Sequence, residues 1–282
     1  MINKPSWINK RIKISQLQEV KKIVKDASLH TICQEALCPN IAECFSKKNA
    51  SFLILGNICT RKCTYCNVSK GKPLKPDINE PKNLAQSVKT MNLKHVVITS
   101  PTRDDLKDGG AEHFKKCVNE IKSMDENITV ELLIPDMKGD RESLKIVANS
   151  GADIIGHNIE TVPRLYHIRK GANYRRSLNV LKTLLDLNPN ILTKSGIMVG
   201  LGEKDEEVLE VMRDLIDVGC YLLSIGQYLA PSKKHTPVIE YVNPKKFEYF
   251  YEEGKKMGFR YIKSSPYTRS SYMAHEYLTS FR

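Results

Sequence analysis

The stretch SFLILGNICTRKCTYC, Ser51 to Cys66, decides how the rest of the chain reads. Residues 52–58 are apolar and strand-sized, as a parallel strand covered on both faces should be. Cys59, Cys63 and Cys66 follow at once in a C-x3-C-x2-C spacing. That places three thiolates on a loop at the carboxyl end of a strand, the end at which β/α barrels carry their chemistry. Three thiolates on one short loop can hold three irons of a 4Fe–4S cube and leave the fourth without a protein ligand. A zinc site usually pairs C-x2-C units or adds histidines, and this loop has no such pairing.

Downstream the chain alternates strand and helix patterns. Strands are predicted at 95–100, 128–134, 153–158, 192–199 and 222–229, and helices at 82–92, 110–124, 140–149, 174–187, 204–217 and 245–257. Val208, Val211, Met212, Leu215 and Ile216 make one apolar stripe, and Leu178, Leu181, Leu184 and Leu185 another, at helical spacing. Strand–helix units in series imply a parallel sheet with right-handed crossovers. Periodicity alone allows a doubly wound sheet or an incomplete barrel. Polar and glycine-rich segments just past the strand ends favour the barrel: Gly109-Gly110, Asn158 with Glu160, Gly196 to Glu203, and Gln227-Tyr228. The expected fold is α/β, a partial (β/α)6 TIM-like barrel over 51–258. An N-terminal extension (1–50) and a C-terminal extension (259–282) flank it.

The N-terminal extension carries Cys33, Cys38 and Cys44 as C-x4-C-x5-C. Spacings of five and six do not put successive cysteines on one helical face, so the segment must wrap around what it binds; a second cluster is the natural reading. The chain has 282 residues, eight cysteines and a net charge of +12. No apolar run approaches the ~18 residues of a membrane helix and no signal-peptide core opens the sequence, so a cytoplasmic protein without membrane association is expected. In that reducing compartment clustered cysteines argue for metal, not disulfides. Basic residues crowd the start, at Lys4, Lys10, Arg11, Lys13, Lys21, Lys22 and Lys25. No nucleic-acid signature accompanies them, so a nucleic-acid partner is not expected. Cys117 and Cys220 read as buried small hydrophobes, and Trp7 as a core anchor. His157 reads as a hydrogen-bonded histidine near a strand end. Arg169, Arg175 and Arg176 are candidates for contact with cofactor or carrier. Lys194 and Ser195 sit beside the loop at 196–203.

An iron with an open site can be chelated by the amino and carboxylate groups of S-adenosylmethionine, and a reduced cluster can then break its carbon–sulfur bond. C-x3-C-x2-C with Tyr65 just before the last cysteine resembles the signature of the radical S-adenosylmethionine superfamily. GIMVGLGE from Gly196 resembles that superfamily's G-x-I-x-G-x-x-E motif, with Met198 for Ile. The two cysteine triplets, together with Arg269-Ser270-Ser271-Tyr272 near the C-terminus, are similar to the lipoyl synthase family. TSPTRDDLKDGGAEHF from Thr99, HNIETVPRLY from His157, KSGIMVGLGE from Lys194 and GQYLAPSKKHTPV from Gly226 agree. Pro101-Thr102 and Ser264-Ser265-Pro266 depart from the family pattern and leave fine substrate positioning open.

The resemblance implies two 4Fe–4S clusters and S-adenosylmethionine as cofactors. It assigns Gly109 and Gly110 to the methionyl amino group, Asn158 and Glu160 to the ribose, and Gly200 and Glu203 to the adenine side. It makes Ser271 the fourth ligand of the first-triplet cluster, which is consumed as sulfur source; Arg269 would orient the tail or balance charge. The implied reaction inserts sulfur at carbon 6 and carbon 8 of an octanoyl-lysine to give lipoyl-lysine. The implied carrier is the glycine cleavage carrier protein or the acyltransferase subunit of a 2-oxoacid dehydrogenase. A ferredoxin or flavodoxin would supply electrons and an iron–sulfur carrier protein would resupply the cluster. The nearest rivals are other radical sulfur-inserting enzymes, a biotin synthase or a tRNA methylthiotransferase. An iron–sulfur electron carrier or structural zinc protein is a rival of another class, and neither needs cofactor loops past several strands.

Overall fold

The computed structural model describes residues 4–8, 18–47, 49–274 and 276; Lys10, Arg11 and Lys13 lie outside them. One sheet organises the chain. Its strands are β1 (His30–Thr31), β2 (Ser51–Leu53), β5 (His95–Thr99), β6 (Thr129–Leu133), β7 (Ile154–Gly156), β8 (Leu192–Val199), β9 (Leu222–Gln227) and β10 (Tyr261–Ser265), in that spatial order. All neighbours pair in parallel except β1, which runs antiparallel to β2. Two short strands, β3 (Ile58–Cys59) and β4 (Ser69–Lys70), form a separate parallel pair.

The predicted helices are all present: α4 (Glu80–Thr90), α5 (Ala111–Met124), α6 (Arg141–Ala148), α7 (Tyr174–Leu187), α8 (Asp205–Asp217) and α9 (Pro244–Met257). They begin where sequence chemistry lets them. Asp140 accepts from the Ser143 amide and Asn173 from the Arg176 amide, so first-turn donors are satisfied. Helix α9 ends on Gly258 at φ 97°, the left-handed cap that glycine adopts without strain. The N-terminal extension adds α1 (Gln18–Asp26), α2 (Ile32–Glu35) and α3 (Ile41–Ser46).

Three features depart from the sequence reading. The segment 52–58 is not one strand: β2 stops at Leu53, the chain turns through Leu55 (φ 65°) and Gly56 (φ 79°), and it resumes as β3. The C-terminal extension is not wholly outside the sheet, because Tyr261–Ser265 pairs along β9. And the strands are not apolar on both faces. Val96, Ile98, Val130, Leu132 and Ile155 belong to the core that also takes in α4, α5 and α6, and Leu223 and Ile225 pack with α8 and α9. The alternate positions carry His95, Glu131, Lys194 and Ser224, all buried. Period-2 alternation puts these on the opposite, interior face, so the sheet encloses a polar interior. No helix among the described residues is long and apolar enough to cross a membrane.

Candidate active site

The second triplet sits on a loop pinned to neighbouring strand ends by backbone. The Thr60 amide donates to Thr102 O (3.0 Å), the Thr64 amide to Ile168 O (2.9 Å), the Thr236 amide to Thr64 O (3.0 Å) and the Gly71 amide to Cys59 O (3.1 Å). Cys59, Cys63 and Cys66 are all half-buried. Burial pushes the Cys66 thiol up to about 11, and Cys63 and Cys59, close enough to repel its thiolate, push the same way. Burial raises Cys63 too, with Arg169 pulling against it. Iron would have to displace those protons. Among the described residues no three Cys, His, Asp or Glu side chains close on a single-ion site. Three thiols on one loop can hold three irons of a cube, whereas a structural zinc takes four protein ligands.

Two buried arginines that sequence reasoning missed hold this loop in place. Arg61, between the first two cysteines, makes a two-pronged bond to Asp104 (2.7 and 2.9 Å) and another to Asp136 (2.9 and 2.7 Å). Arg103 is 1% exposed; it donates to Leu55 O (2.8 Å) and Leu74 O (2.9 Å) and pairs with Asp105. Glu80 meets the same turn, accepting from the Leu55 amide at 2.8 Å. The available signal was an arginine inside a cysteine loop and an aspartate, Asp136, just past a strand end.

Burial alone would raise the Asp136 carboxyl, but the bonds and charge of Arg61 outweigh it and hold it well below the usual range. A depressed carboxyl contributes stability that is complete above its unfolded value, near 3.9, and is lost as pH falls toward the folded value. Asp136→Asn should therefore destabilise the fold by about 3–5 kcal/mol, because Arg61 is left buried without its full partner. Anaerobic denaturant titrations should show that deficit at pH 7 and show it shrinking below about pH 4.

Behind the loop lies a hydrogen-bonded shelf. Ile134 O can only accept, so His157 Nδ1 donates to it (2.9 Å) and Nε2 accepts from Ser177 Oγ (3.0 Å). Burial, then Arg169, pushes His157 down to about 3, and with both ring nitrogens taken by Ile134 and Ser177 it serves as a neutral brace. Arg169 donates to Tyr166 Oη (2.6 Å) and Ser177 Oγ (2.9 Å). Burial raises the Tyr65 phenol, with Glu160 adding to the rise and Arg169 opposing it. Arg176 pairs with Asp136 (2.9 Å) and Arg175 is exposed. Ser195 Oγ accepts from the Ile159 amide and donates to His157 O, a purely internal role. Cys117 and Cys220 are fully buried, burial pushing the latter up to about 12, and Trp7 is half-buried.

The residues suggested for S-adenosylmethionine fall in two groups. Asn158 and Glu160 line a cavity with Gly196, Ser224, Gly226 and Ser270. Asn158 accepts from Ser270 Oγ (2.9 Å) and donates to Glu160 Oε1 (3.2 Å). A Cβ at Gly196 would lie 2.8 Å from Ser270 Oγ, and one at Gly226 would strike Thr268 O; only glycine lets the C-terminal segment cross here. The others shape backbone. Glu203 accepts from the Gly200 and Leu201 amides, closing its own turn. Gly109 and Gly110 head α5 against Met137 and Leu55.

The first triplet converges with the C-terminal tail. Cys33, Cys38, Cys44 and Ser271 line one cavity, with Arg269 and His95. Burial, then Cys38, pushes the Cys33 thiol up to about 11. The tail is tied down from both sides of that cavity: Asn40 donates to Tyr267 O (2.6 Å), and Tyr272 Oη to Glu43 Oε1 (3.0 Å). Three thiols and a hydroxyl around one cavity form a donor set that fits an iron–sulfur cluster. The two serines divide: Ser270 reaches Asn158, Ser271 faces the cysteines.

A parallel sheet with a three-cysteine loop past its first parallel strand defines a radical S-adenosylmethionine protein, and the model of the Radical SAM superfamily matches residues 53–215. Solved structures share the fold. Methylornithine synthase (PylB) superposes with a TM-score of 0.57 at 14% identity, over 90% of this chain and 79% of that one. The FeFe-hydrogenase maturase HydG from Carboxydothermus hydrogenoformans does so with a TM-score of 0.57 at 12% identity, over 95% and 77%. Full-length relatives narrow the class. Lipoyl synthase from Caldicellulosiruptor saccharolyticus is 55% identical over 97% of this chain and 96% of its own length. That from Geobacter metallireducens is 54% identical over 98% of each. The chain belongs to the lipoyl synthase family, radical S-adenosylmethionine sulfurtransferases whose superfamily uses a 4Fe–4S cluster and S-adenosylmethionine.

Proposed function

We propose that this chain converts a protein-bound octanoyl-lysine to lipoyl-lysine, inserting sulfur at carbon 6 and carbon 8. The observation that carries this reading is the pair of cavities joined by one tail segment: Arg269 lines both, Ser270 lines the one with Asn158, and Ser271 the one with Cys33, Cys38 and Cys44. On this reading Cys59, Cys63 and Cys66 hold the cluster that receives S-adenosylmethionine, and Cys33, Cys38, Cys44 and Ser271 hold an auxiliary cluster. When bound, these groups supply a 5′-deoxyadenosyl radical, able to take hydrogen from an unactivated carbon as no side-chain base can, and sulfide to replace it.

The chain's own residues bind, orient and exclude water. Asn158 and Glu160 present polar atoms to the cofactor in their cavity, held there by Ser270. Tyr65 closes the cysteine loop against the apolar core. Gly109, Gly110, Gly200 and Glu203 contribute by backbone shape and backbone amides. The functional divisions are the first-triplet extension (1–50), the strand–helix units that carry the second triplet (51–258) and the tail (259–282). The +12 charge would steer an acidic carrier domain. A ferredoxin or flavodoxin is the proposed electron source, and an iron–sulfur carrier the proposed route of resupply.

Anaerobic reconstitution with iron, sulfide, dithionite, S-adenosylmethionine and an octanoyl-lysyl peptide tests this. Mass spectrometry should show the peptide gaining two sulfur atoms as 5′-deoxyadenosine accumulates. Release of 5′-deoxyadenosine with the peptide unchanged would refute the substrate.

A further inference from the structure

The interior face of the sheet carries buried titratable groups that neither cluster's ligand set uses. Lys194 Nζ lies 2.7 Å from Glu131 Oε1, both side chains 2% exposed. The pair spans from β8 to β6 across β7, where Gly156, paired in register with Lys194 and Leu133, keeps the path low. Glu131 Oε2 stands 3.4 Å from His95 Nε2. Neither ring nitrogen of His95 completes a well-formed hydrogen bond, nor does Glu131 Oε2, although the His95 side chain is only 6% exposed. Buried polar atoms are nearly always matched, so an imidazole in this state marks a partner the protein atoms do not supply.

The cavity identifies that partner. His95 and Val97 share one face of β5, and both line the cavity of Cys33, Cys38, Cys44 and Ser271. With Nε2 turned to Glu131, Nδ1 is the nitrogen left for the cavity. We propose that His95 donates a hydrogen bond from Nδ1 to a sulfide of the auxiliary cluster while its Nε2–H faces the Glu131 carboxylate, which can only accept, with Glu131 orienting the ring and Lys194 fixing Glu131. The inference rests on the auxiliary-cluster assignment and adds a contact to it. Hydrogen bonds to cluster sulfur set reduction potential, and groups just outside the ligand set tune what the ligands hold. His95 thus makes the auxiliary cluster easier to reduce and slower to lose iron.

The test uses the full chain, loaded anaerobically, in a Cys63→Ala background so that the auxiliary cluster's signal stands alone. An electron paramagnetic resonance titration of the reduced cluster should give a more negative midpoint for His95→Leu than for His95. His95→Gln, which keeps an N–H donor, should return toward the parent. Iron loss to a chelator should be faster in His95→Leu. Pulsed resonance on the chain labelled with ¹⁵N-histidine should show a nitrogen coupling to the cluster, a readout that needs no variant to fold. An unmoved midpoint in His95→Leu, or no histidine coupling where the cluster is present, overturns the proposal while leaving the cluster assignment standing. Absence of any cluster in the Cys63→Ala chain overturns the assignment itself, and the contact with it.

Discussion

Cys63→Ala should reduce release of 5′-deoxyadenosine to the level of the iron-free chain, while an exposed neighbour in the same loop, Lys62→Ala, should leave it near the parent rate. The middle thiol of the triplet has no substitute. Cys59 and Cys66 flank it on one short loop, and the only other sulfurs of the described chain lie in the first triplet, in methionines, or at the buried Cys117 and Cys220. A cube held by two thiolates gives up an iron or fails to assemble. The loop itself should persist in the variant, because its anchors are backbone bonds at Thr60, Thr64 and Gly71 and the Arg61 clamp. Iron content should accordingly fall from two cubes' worth to one, with the first-triplet cluster retained. Parental cleavage of S-adenosylmethionine by Cys63→Ala would show that this loop is not where the cofactor is split.

That expectation draws on the part of the chain most legible from residues alone. Both cysteine triplets were visible because their logic is local: donor type and spacing. So were α7 and α8, whose apolar stripes repeat every turn, and the address of Asn158 and Glu160 past a strand end. What could not be read is what depends on distant partners. The break at Leu55 is fixed by Glu80 and Arg103, 25 and 48 residues away. Both are charged residues that periodicity treats as surface. The strand Tyr261–Ser265 was assigned to an extension because it lacks an apolar run, and it lacks one because part of it faces a polar interior. The same interior hid Glu131 and its pairing with Lys194, 63 residues away, inside strands short enough for Val, Ile and Leu to dominate the pattern. Ser271 stands at the far limit. Nothing in RSSY distinguishes a ligand from a solvated tail, and the role proposed for Ser271 comes from resemblance. Only the folded chain puts it in one cavity with cysteines more than two hundred residues earlier.

Ser271→Ala should separate the two halves of the reaction: 5′-deoxyadenosine still forms, but lipoyl-lysine does not. The residue faces Cys33, Cys38 and Cys44, not the cavity of Asn158 and Glu160, so cofactor cleavage has no reason to fall with it. On the proposed assignment alanine removes the fourth donor, and the auxiliary cluster should be under-loaded or lose iron during purification. Ser271→Cys distinguishes donor number from donor kind. An alkoxide or hydroxyl is a hard ligand among soft thiolates, so its iron is the corner best suited to leave when sulfide is given up. Thiolate in its place should restore iron and sulfide to the parental level, yet leave sulfur insertion well below parent, because the cluster is now held too evenly to open. Ser270→Ala is the internal control. It deletes the bond to Asn158 and should weaken S-adenosylmethionine binding while leaving auxiliary iron unchanged. The measurement is the ratio of lipoyl-lysine to 5′-deoxyadenosine by mass spectrometry, set beside iron and sulfide per chain. Parental ratio and parental iron in Ser271→Ala would mean that the tail closes the cavity without ligating anything in it.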